Sequence, residues 1–188
     1  LLIMNAYVIP GQQAIDYMQK LTDRGVDVRI LTNSLSSHDV PAVNSHYEPW
    51  RDDFIRAGVE LFEFRSDPAI QSTVIDVAPV KAGFSGLHST TAVVDGRYVF
   101  IGSMNLDPRS ARINTEMGAM VDSPGLAEDL RQLILRDMSP ANARKVQLDE
   151  NGKVFWQNDT ETRTTQPARD GMQRVMNQLM KLGPKDQY

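Results

Sequence analysis

The first 64 residues alternate between apolar runs and helical patterns, and this alternation constrains the fold more than any other feature of the chain. Three apolar runs have the length of buried strands, at Leu1–Ile9, Val26–Leu31 and Val59–Phe64. The segments between them, Gln12–Arg24 and His46–Ala57, carry apolar residues at helical spacing, and a glycine follows each. Strands joined through helices pair in parallel with a right-handed crossover. The pattern therefore predicts an α/β fold with a mixed, mostly parallel sheet and helices on both faces.

A hairpin pattern occupies Leu87–Asn105. Thr91–Val94 is rich in threonine and valine, Tyr98–Ile101 is apolar, and the dipeptide Asp95-Gly96 between them is typical of a two-residue turn. Two strands paired across this turn bring the two ends of the stretch together.

Polar residues stand at both ends of this hairpin. His88 precedes the first strand, and Ser103 and Asn105 follow the second. An imidazole, a hydroxyl and a carboxamide would then share one end of a sheet, which suits a phosphate group. An ordinary hairpin with polar ends is the alternative interpretation.

The spacing of these residues resembles the signature of the phospholipase D superfamily: His-x-Lys, four residues, Asp, six residues, then Gly-Ser-x-Asn. The residues in register are His88, Asp95, Gly102, Ser103 and Asn105. The flanking text, including YVIPG, RILTNSLSSHDVPAV and GSMNLDPRSARINTEMG, is most similar to the bacterial cardiolipin synthase branch, and the similarity weakens after Asp137. The resemblance implies a phospholipase D-like half domain at residues 1–140, the carboxyl-terminal half of a larger enzyme, with residues 141–188 packed on it as a hairpin and a helix.

The resemblance also implies roles for the site residues. His88 is expected to act as nucleophile or proton donor, and histidine titrates in the right range for either. Glu116, in NTEMG, is expected to accept a hydrogen bond from the other ring nitrogen and so fix the tautomer. Ser103 and Asn105 are expected to donate hydrogen bonds to phosphate oxygens.

Thr90 stands at the lysine position of the signature. A neutral hydroxyl there replaces a charged group with several donors, and losing one preorganised donor costs about 3 kcal/mol in the transition state, or about a hundredfold in rate. We therefore expect weak activity or none from this chain. Of the two other motif positions, Asp95 is expected to shape the turn and Gly102 to allow a close backbone approach.

The loop Thr32–Val43 follows a strand, and ligands of open α/β sheets bind beyond the carboxyl ends of strands. Asn33 and Ser34 are therefore candidate site residues, although both residue types also favour plain loops. His38 in the same loop is interpreted as a solvated side chain. A later loop holds an apolar patch at Val74–Val80, which either packs on the domain or meets an acyl chain.

Composition narrows the function. A net charge of −4 makes a nucleic-acid-binding surface less favoured. Without cysteine there is no disulfide or thiol chemistry. No His, Asp or Glu cluster has metal-ligand spacing, so no metal or other cofactor is expected. No apolar run approaches the length of a membrane span, so membrane contact is expected to be peripheral.

The expected function is that of the carboxyl-terminal half of a phosphatidyltransferase resembling cardiolipin synthase, which passes a phosphatidyl group between phospholipids through a phosphohistidine at the bacterial inner membrane. By resemblance, a complete site uses two motifs, and this chain holds one. The second is expected from a missing amino-terminal half, which a chain beginning within an apolar strand favours, or from a second copy, as in the single-motif nucleases of the superfamily. The alternatives are a dimeric phosphodiesterase or nuclease, and a non-catalytic module that binds phosphate or a partner.

The end of the chain predicts a hairpin at Val146–Asn158, anchored by Trp156 and Phe155, and a last helix at Gly171–Leu182. The apolar stripe of this helix comprises Met172, Val175, Met176 and Leu179. Core packing is the expected role of a methionine-rich stripe. The nearby Lys181 and Lys185 suggest the alternative of docking on a partner domain or a membrane surface.

Overall fold

A computed structural model describes residues 1–76, 79 and 82–182. Its strands are β1 (Leu2–Asn5), β2 (Arg29–Asn33), β3 (Glu60–Phe64), β4 (Thr90–Val94), β5 (Tyr98–Gly102), β6 (Gly118–Asp122), β7 (Ala143–Leu148), β8 (Val154–Gln157) and β9 (Thr162–Arg163). Its α-helices are α1 (Gly11–Asp23), α2 (Pro41–Tyr47), α3 (Arg51–Arg56), α4 (Pro108–Arg112), α5 (Pro124–Asp137) and α6 (Gly171–Met180). The patch predicted at Val74–Val80 falls partly outside the described residues, and Lys185 lies outside them entirely.

These strands join one mixed sheet in the order β6-β5-β4-β1-β2-β3-β7-β8-β9. Parallel pairing within it is confined to β1 with β2 and β2 with β3, whose connections are helical. The other pairings are antiparallel. The predicted α/β fold with a mixed sheet is confirmed. Parallel pairs are its minority, contrary to expectation, because antiparallel strands extend the parallel centre on both sides.

Prolines place two helix boundaries where the sequence pattern did not predict them. Pro41 begins α2 inside the predicted loop Thr32–Val43, since proline suits the first helical position. A 3₁₀ turn at Glu48–Trp50, which contains Pro49, separates α2 from α3. The predicted helix His46–Ala57 is therefore divided, because proline cannot donate the backbone hydrogen bond of a continuous helix.

Side chains alternate between the two faces of the sheet, and helices cover both. Ile3, Ile30 and Leu61 face a core that α1 and α3 close. Met4 and Leu31, their neighbours in sequence, face a second core that α5 closes. This alternation is the period-two pattern of a strand buried on both faces. The prediction of helices on both faces is confirmed.

The segment after residue 140 extends the same sheet, since β7 pairs with β3 and β8 pairs with β7. The predicted anchor Trp156 is buried, and its indole Nε1 donates to Oε2 of Glu63 at 2.8 Å. Arg51 on α3 donates from Nε to Oε1 of the same carboxylate at 2.6 Å. A buried ion pair is costly to break, so Glu63 is held firmly on β3, and the hydrogen bond from Trp156 joins β8 to this carboxylate at the centre of the domain.

Candidate active site

Strand register places the predicted site residues at one end of the sheet. Asn5 at the end of β1 lies opposite Thr90 at the start of β4. β4 runs antiparallel to β5 and β5 to β6, with Gly102 opposite Gly118. The segments before β4, after β5 and before β6 therefore meet at this end. Four predicted residues of these segments form what we call the open cluster: His88, Ser103, Asn105 and Glu116.

Two hydrogen-bonded pairs order the side chains at this end. Thr90 is buried and donates its hydroxyl to Oδ1 of Asn105 at 3.2 Å. The N–H₂ group of that carboxamide has no acceptor among the described residues, so it can donate to a ligand. Ser103 donates its hydroxyl to Oε2 of Glu116 in a short contact and accepts from the backbone N–H of Met117 at 3.1 Å.

Glu116 is a charged acceptor at the solvent side of the cluster. Hydrogen bonds from Ser103 and from Nδ2 of Asn114, the latter at 3.1 Å, hold the pKa of its carboxyl below the usual range. The predicted contact between Glu116 and His88 is not among the hydrogen bonds of the described residues, because the carboxylate faces Ser103 and Asn114 instead. Nε of Arg109 donates to Oδ1 of Asn114 at 3.3 Å, so a guanidinium lies one side chain from this carboxylate.

The imidazole of His88 is exposed and lies against an aromatic ring. The ring centroids of His88 and Tyr7 are 6.3 Å apart and their planes meet at 79°, an edge-to-face arrangement. Neither ring nitrogen of His88 is hydrogen-bonded to another described residue. Both nitrogens can therefore engage a phosphate or a group from another chain.

Tyr7 is held on its other side by His38 and Asp39. His38 stacks on Tyr7 with centroids 5.4 Å apart and planes 8° from parallel. The Tyr7 hydroxyl donates to the two oxygens of Asp39 at 3.1 and 3.2 Å. Burial, with Asp39, raises the pKa of Tyr7 to about 12, and interactions with His38 and Tyr7 lower the pKa of Asp39 to about 2. The interpretation of His38 as solvated is wrong, because the loop and Tyr7 bury it.

Asn33 lies in the interior at the end of β2 rather than on the open side of the site. Its Nδ2 donates to the carbonyl of Leu87 at 2.9 Å, and its Oδ1 accepts from the N–H of Leu87 at 2.8 Å. The same Oδ1 accepts from the hydroxyl of Ser37 at 3.0 Å. Ser34 is also buried, and its hydroxyl bonds that of Ser37. Both residues were predicted as candidate site residues; the structure places Asn33 to fix the backbone beside His88, whereas Ser34 bonds Ser36 and Ser37 within its own loop.

Asn5 has the matching position at the end of β1. Its Oδ1 accepts from the backbone N–H of Leu106 at 3.3 Å and from that of Tyr7 at 3.1 Å. Leu106 directly follows Asn105, so the buried carboxamide of Asn5 fixes the backbone after the second half of the motif. The buried carboxamide of Asn33 fixes the backbone just before the first half. We call Asn5 and Asn33 the asparagine clamp.

Neither Asn5 nor Tyr7 is predicted as a site residue from the sequence. The available signal was a single carboxamide inside the apolar run Leu1–Ile9, with an aromatic residue two positions later. A polar side chain in a buried run has to find partners, because an unpaired buried carboxamide is costly. Which backbone atoms it pairs with is set by strand order, which the sequence does not give.

The two remaining motif positions, Gly102 and Asp95, serve the sheet and its turn. A Cβ at Gly102 would lie 2.7 Å from the carbonyl oxygen of Met117 and 2.9 Å from the ring of Phe100, so β5 and β6 can pair here only if this residue is glycine. Asp95 has φ of 52° in the turn after β4. The length of β4, about 3.3 Å per residue, separates Asp95 from the open cluster. Its place in the turn agrees with a turn-forming role.

An apolar cavity of about 390 Å³ opens beside Asn105. It lies between α1 and the segment 104–112, and its walls include Ile9, Met18, Phe54 and Leu106. This volume falls in the lower range of small-molecule pockets. The cavity and the open cluster share Asn105, so a ligand with both a phosphate and a hydrocarbon part can occupy the two together.

Two features are absent from the described part of the chain. No group of three or more His, Asp or Glu side chains there is placed to hold a metal ion. No helix there combines the length and the apolar character that crossing a membrane requires.

Comparisons with known proteins agree on one family. The family described as cardiolipin synthase, PLD-like domain, matches residues 1–138. Cardiolipin synthase C of Escherichia coli (strain K12) is 33% identical over 186 residues, which are 97% of this chain and 39% of that protein. Two solved structures share the fold at a TM-score of 0.55. A phospholipase D family member, Nuc from Salmonella typhimurium, is 18% identical and is matched over 76% of this chain and 78% of its own. Phosphatidylserine synthase from Haemophilus influenzae is 16% identical and is matched over 77% of this chain and 33% of its own.

The sheet and the spacing of the open cluster define a phospholipase D-type domain. Since the family match covers well over half of the sequence, the chain belongs to the phospholipase D superfamily, close to the cardiolipin synthases. The predicted resemblance is confirmed. The chain spans about two fifths of the length of cardiolipin synthase C, 39%.

Proposed function

We propose that this chain supplies one half of the active site of a phosphatidyltransferase resembling cardiolipin synthase, and that it acts slowly because Thr90 occupies the lysine position. The apolar cavity that shares Asn105 with the open cluster carries this proposal, because a phosphate site adjoining a hydrocarbon site suits a phospholipid. The net charge of −4 suits a lipid substrate better than a nucleic acid, whose binding relies on cations. The 33% identity to cardiolipin synthase C supports the same class of reaction.

In this proposal a ring nitrogen of His88 attacks the phosphorus of the donor lipid. The bond from phosphorus to the leaving alcohol breaks, and that oxygen takes a proton from the histidine of the second motif. The hydroxyl of the acceptor lipid then attacks the phosphohistidine and gives its proton to that second histidine, and the N–P bond breaks to free His88. Asn105 donates to a phosphate oxygen during both steps.

The second motif is proposed to come from a longer protein or from a second copy of the chain. Large apolar side chains are exposed at positions that directly adjoin members of the open cluster in the sequence, Met104 and Met117. Exposed apolar residues grouped around a site mark a surface that another domain covers. We place the assembled protein at the inner membrane of a bacterium by peripheral contact, where its substrates would reside.

Restoring the lysine tests the proposal. The Thr90 side chain already contacts Asn105, so Thr90→Lys directs a longer, charged side chain past that carboxamide toward the phosphate. We expect transfer between phosphatidylglycerol molecules to rise about a hundredfold or more. Transfer is measured with the chain alone at several concentrations. It is measured again in the presence of a longer protein that supplies a second motif. His88→Gln in the Thr90→Lys background should abolish both transfer and the acid-labile phosphate on the protein, whereas His46→Gln should leave both unchanged.

The same preparations decide between this function and its rivals. DNA cleavage without lipid turnover, with a rate that rises as the square of protein concentration, would favour a dimeric phosphodiesterase. The match over 78% of the Nuc chain supports that second candidate, since it is a chain of comparable size. Absence of both activities in Thr90→Lys, with the second motif supplied, would favour a module that binds phosphate or a partner without turning it over.

A further inference from the structure

The last helix packs on the domain through its polar side. Gln173 and Asn177 are 6% and 1% exposed. Nε2 of Gln173 donates to the carbonyl of Leu35 at 2.6 Å. Asn177 accepts from Nδ2 of Asn44 at 2.8 Å and donates to Oε2 of Glu48 at 3.0 Å. The hydrogen bonds of Gln173 and Asn177 thus hold α6 against the described part of the domain.

The apolar stripe of this helix faces outward, so the expectation that it packs in the core is wrong. Five large apolar side chains of α6 and the turn after it are between 37% and 86% exposed: Met172, Val175, Met176, Leu179 and Leu182. Their spacing of three and four positions sets them along one side of the helix. A contiguous apolar surface of this kind marks contact with something outside the domain.

The charges on this stretch are positive. Between residues 171 and 182 the charged side chains are Arg174, which is exposed, and Lys181, which pairs with Glu48 at 2.8 Å. The nearest carboxylate along the chain, that of Asp170, caps the helix by accepting from the backbone N–H of Gln173. The protein as a whole carries −4. An apolar stripe flanked by a cation and lacking carboxylates is complementary to the surface of an anionic bilayer.

Two contacts connect this helix to the active site. Arg169, just before α6, donates from Nη1 to the carbonyls of Ser36 and His38 at 2.7 and 3.1 Å. His38 stacks on Tyr7, and the ring of Tyr7 meets the edge of His88. The helix and the open cluster are therefore joined through one buried loop.

We propose that the apolar stripe of α6 inserts into the surface of a bilayer that contains anionic phospholipid, and so holds the open cluster near its substrate. The inference rests on the proposed function for the nature of that substrate. The geometry of attachment is that of an interfacial helix whose apolar side enters the boundary between headgroups and acyl chains. Here the polar side of the helix binds the protein instead of water.

Vesicle flotation tests this directly, with the full chain and without any need for turnover. Vesicles of phosphatidylglycerol should bind the protein more tightly than vesicles of phosphatidylcholine. The double variant Val175→Ser/Leu179→Ser should lower the affinity for phosphatidylglycerol vesicles about tenfold or more, because two inserted apolar side chains are lost. Ile101→Ser/Met120→Ser is the matched control, since it also replaces two exposed apolar residues, on β5 and β6, and should leave binding unchanged.

Circular dichroism is the check that each variant is folded. We expect both double variants to fold, because the replaced side chains point outward. Equal vesicle binding by the protein and Val175→Ser/Leu179→Ser would overturn the proposal. So would a dimer, seen by light scattering, that this double variant alone converts to monomer, because the stripe would then be covered by a second copy. Vesicle binding by Thr90→Lys without phosphatidyl transfer, when a second motif is supplied, supports docking while counting against the proposed reaction. Transfer on vesicles that is unaffected by Val175→Ser/Leu179→Ser supports the proposed reaction while counting against docking.

Discussion

The asparagine clamp and the open cluster lie side by side at one end of the sheet, yet they satisfy their polar groups in opposite ways. Asn5 and Asn33 are buried, and their carboxamides bond backbone atoms on both sides of the motif. In the open cluster, His88 and Ser103 are exposed; neither ring nitrogen of His88 bonds a described residue, and the Ser103 hydroxyl bonds the Glu116 side chain and the backbone N–H of Met117. The difference separates two tasks: the clamp fixes where the motif backbone runs, and the cluster presents groups that a ligand can engage.

Replacing Asn33 with leucine would break the clamp and should give the largest effect. Leucine matches the volume but leaves the buried N–H and C=O of Leu87 without partners, at about 1 to 3 kcal/mol for each group. We expect the free energy of unfolding to fall by about 3 to 5 kcal/mol, a large share of the stability of a typical domain. Urea denaturation followed by circular dichroism measures it.

Ser103→Ala is the matched control for the clamp variant, because it also removes a polar group at this end of the sheet, but an exposed one. We expect a change of about 0.5 kcal/mol or less. Equal losses in the two variants would mean that burial does not distinguish the clamp from the cluster.

The contrast between clamp and cluster also separates what the sequence predicts from what it does not. The hairpin and the positions of His88 and Ser103 at its ends follow from local rules, since turn dipeptides and strand alternation act over a few residues. The central βαβ pattern follows for the same reason. The clamp depends on which strands become neighbours, and Asn33 and Leu87 are far apart in sequence. Periodicity carries no information about such a pairing.

The orientation of α6 shows a different limit of prediction from sequence. The periodicity of its apolar residues predicts a helix correctly, but it does not say which side meets the domain. Buried partners for Gln173 and Asn177 decided that, and those partners come from residues about 130 positions earlier. The pairing of Glu116 with Ser103 in place of His88 has a similar cause, because β5 and β6 are adjacent and bring these two residues together.

Tyr7 joins the clamp to the cluster, and changing it should have an intermediate effect. Tyr7→Leu removes the ring between His38 and His88 at a cost of about 1 kcal/mol, since leucine keeps much of the volume. The chain has three histidines, so their imidazole C–H signals can be followed separately by NMR. We expect the signals of His38 and His88 to move in Tyr7→Leu while that of His46 stays. Tyr7→Phe keeps the ring and should leave the His88 signal nearly in place. A His88 signal that ignores Tyr7→Leu would show that the ring does not position the imidazole.

The smallest effect concerns the pKa of Glu116. The hydrogen bond from Ser103 is the main cause that lowers this pKa in the folded protein, with Asn114 second. Ser103→Ala should therefore move the carboxyl titration upward, toward its ordinary value, and Asn105→Ala should not, because Asn105 bonds Thr90 instead. A pKa depressed by folding stabilises the protein above the unfolded pKa, and that contribution disappears as the pH falls through the folded pKa. The variant should consequently lose less stability than the parent over this acidic interval. Carbon-detected NMR of the Glu116 carboxyl measures the shift. An unchanged titration in Ser103→Ala would mean that the Ser103 hydroxyl does not donate to Glu116 in solution and is free to donate to phosphate. Ser103 would then differ even more from the clamp residues, whose carboxamides bond backbone atoms within the protein.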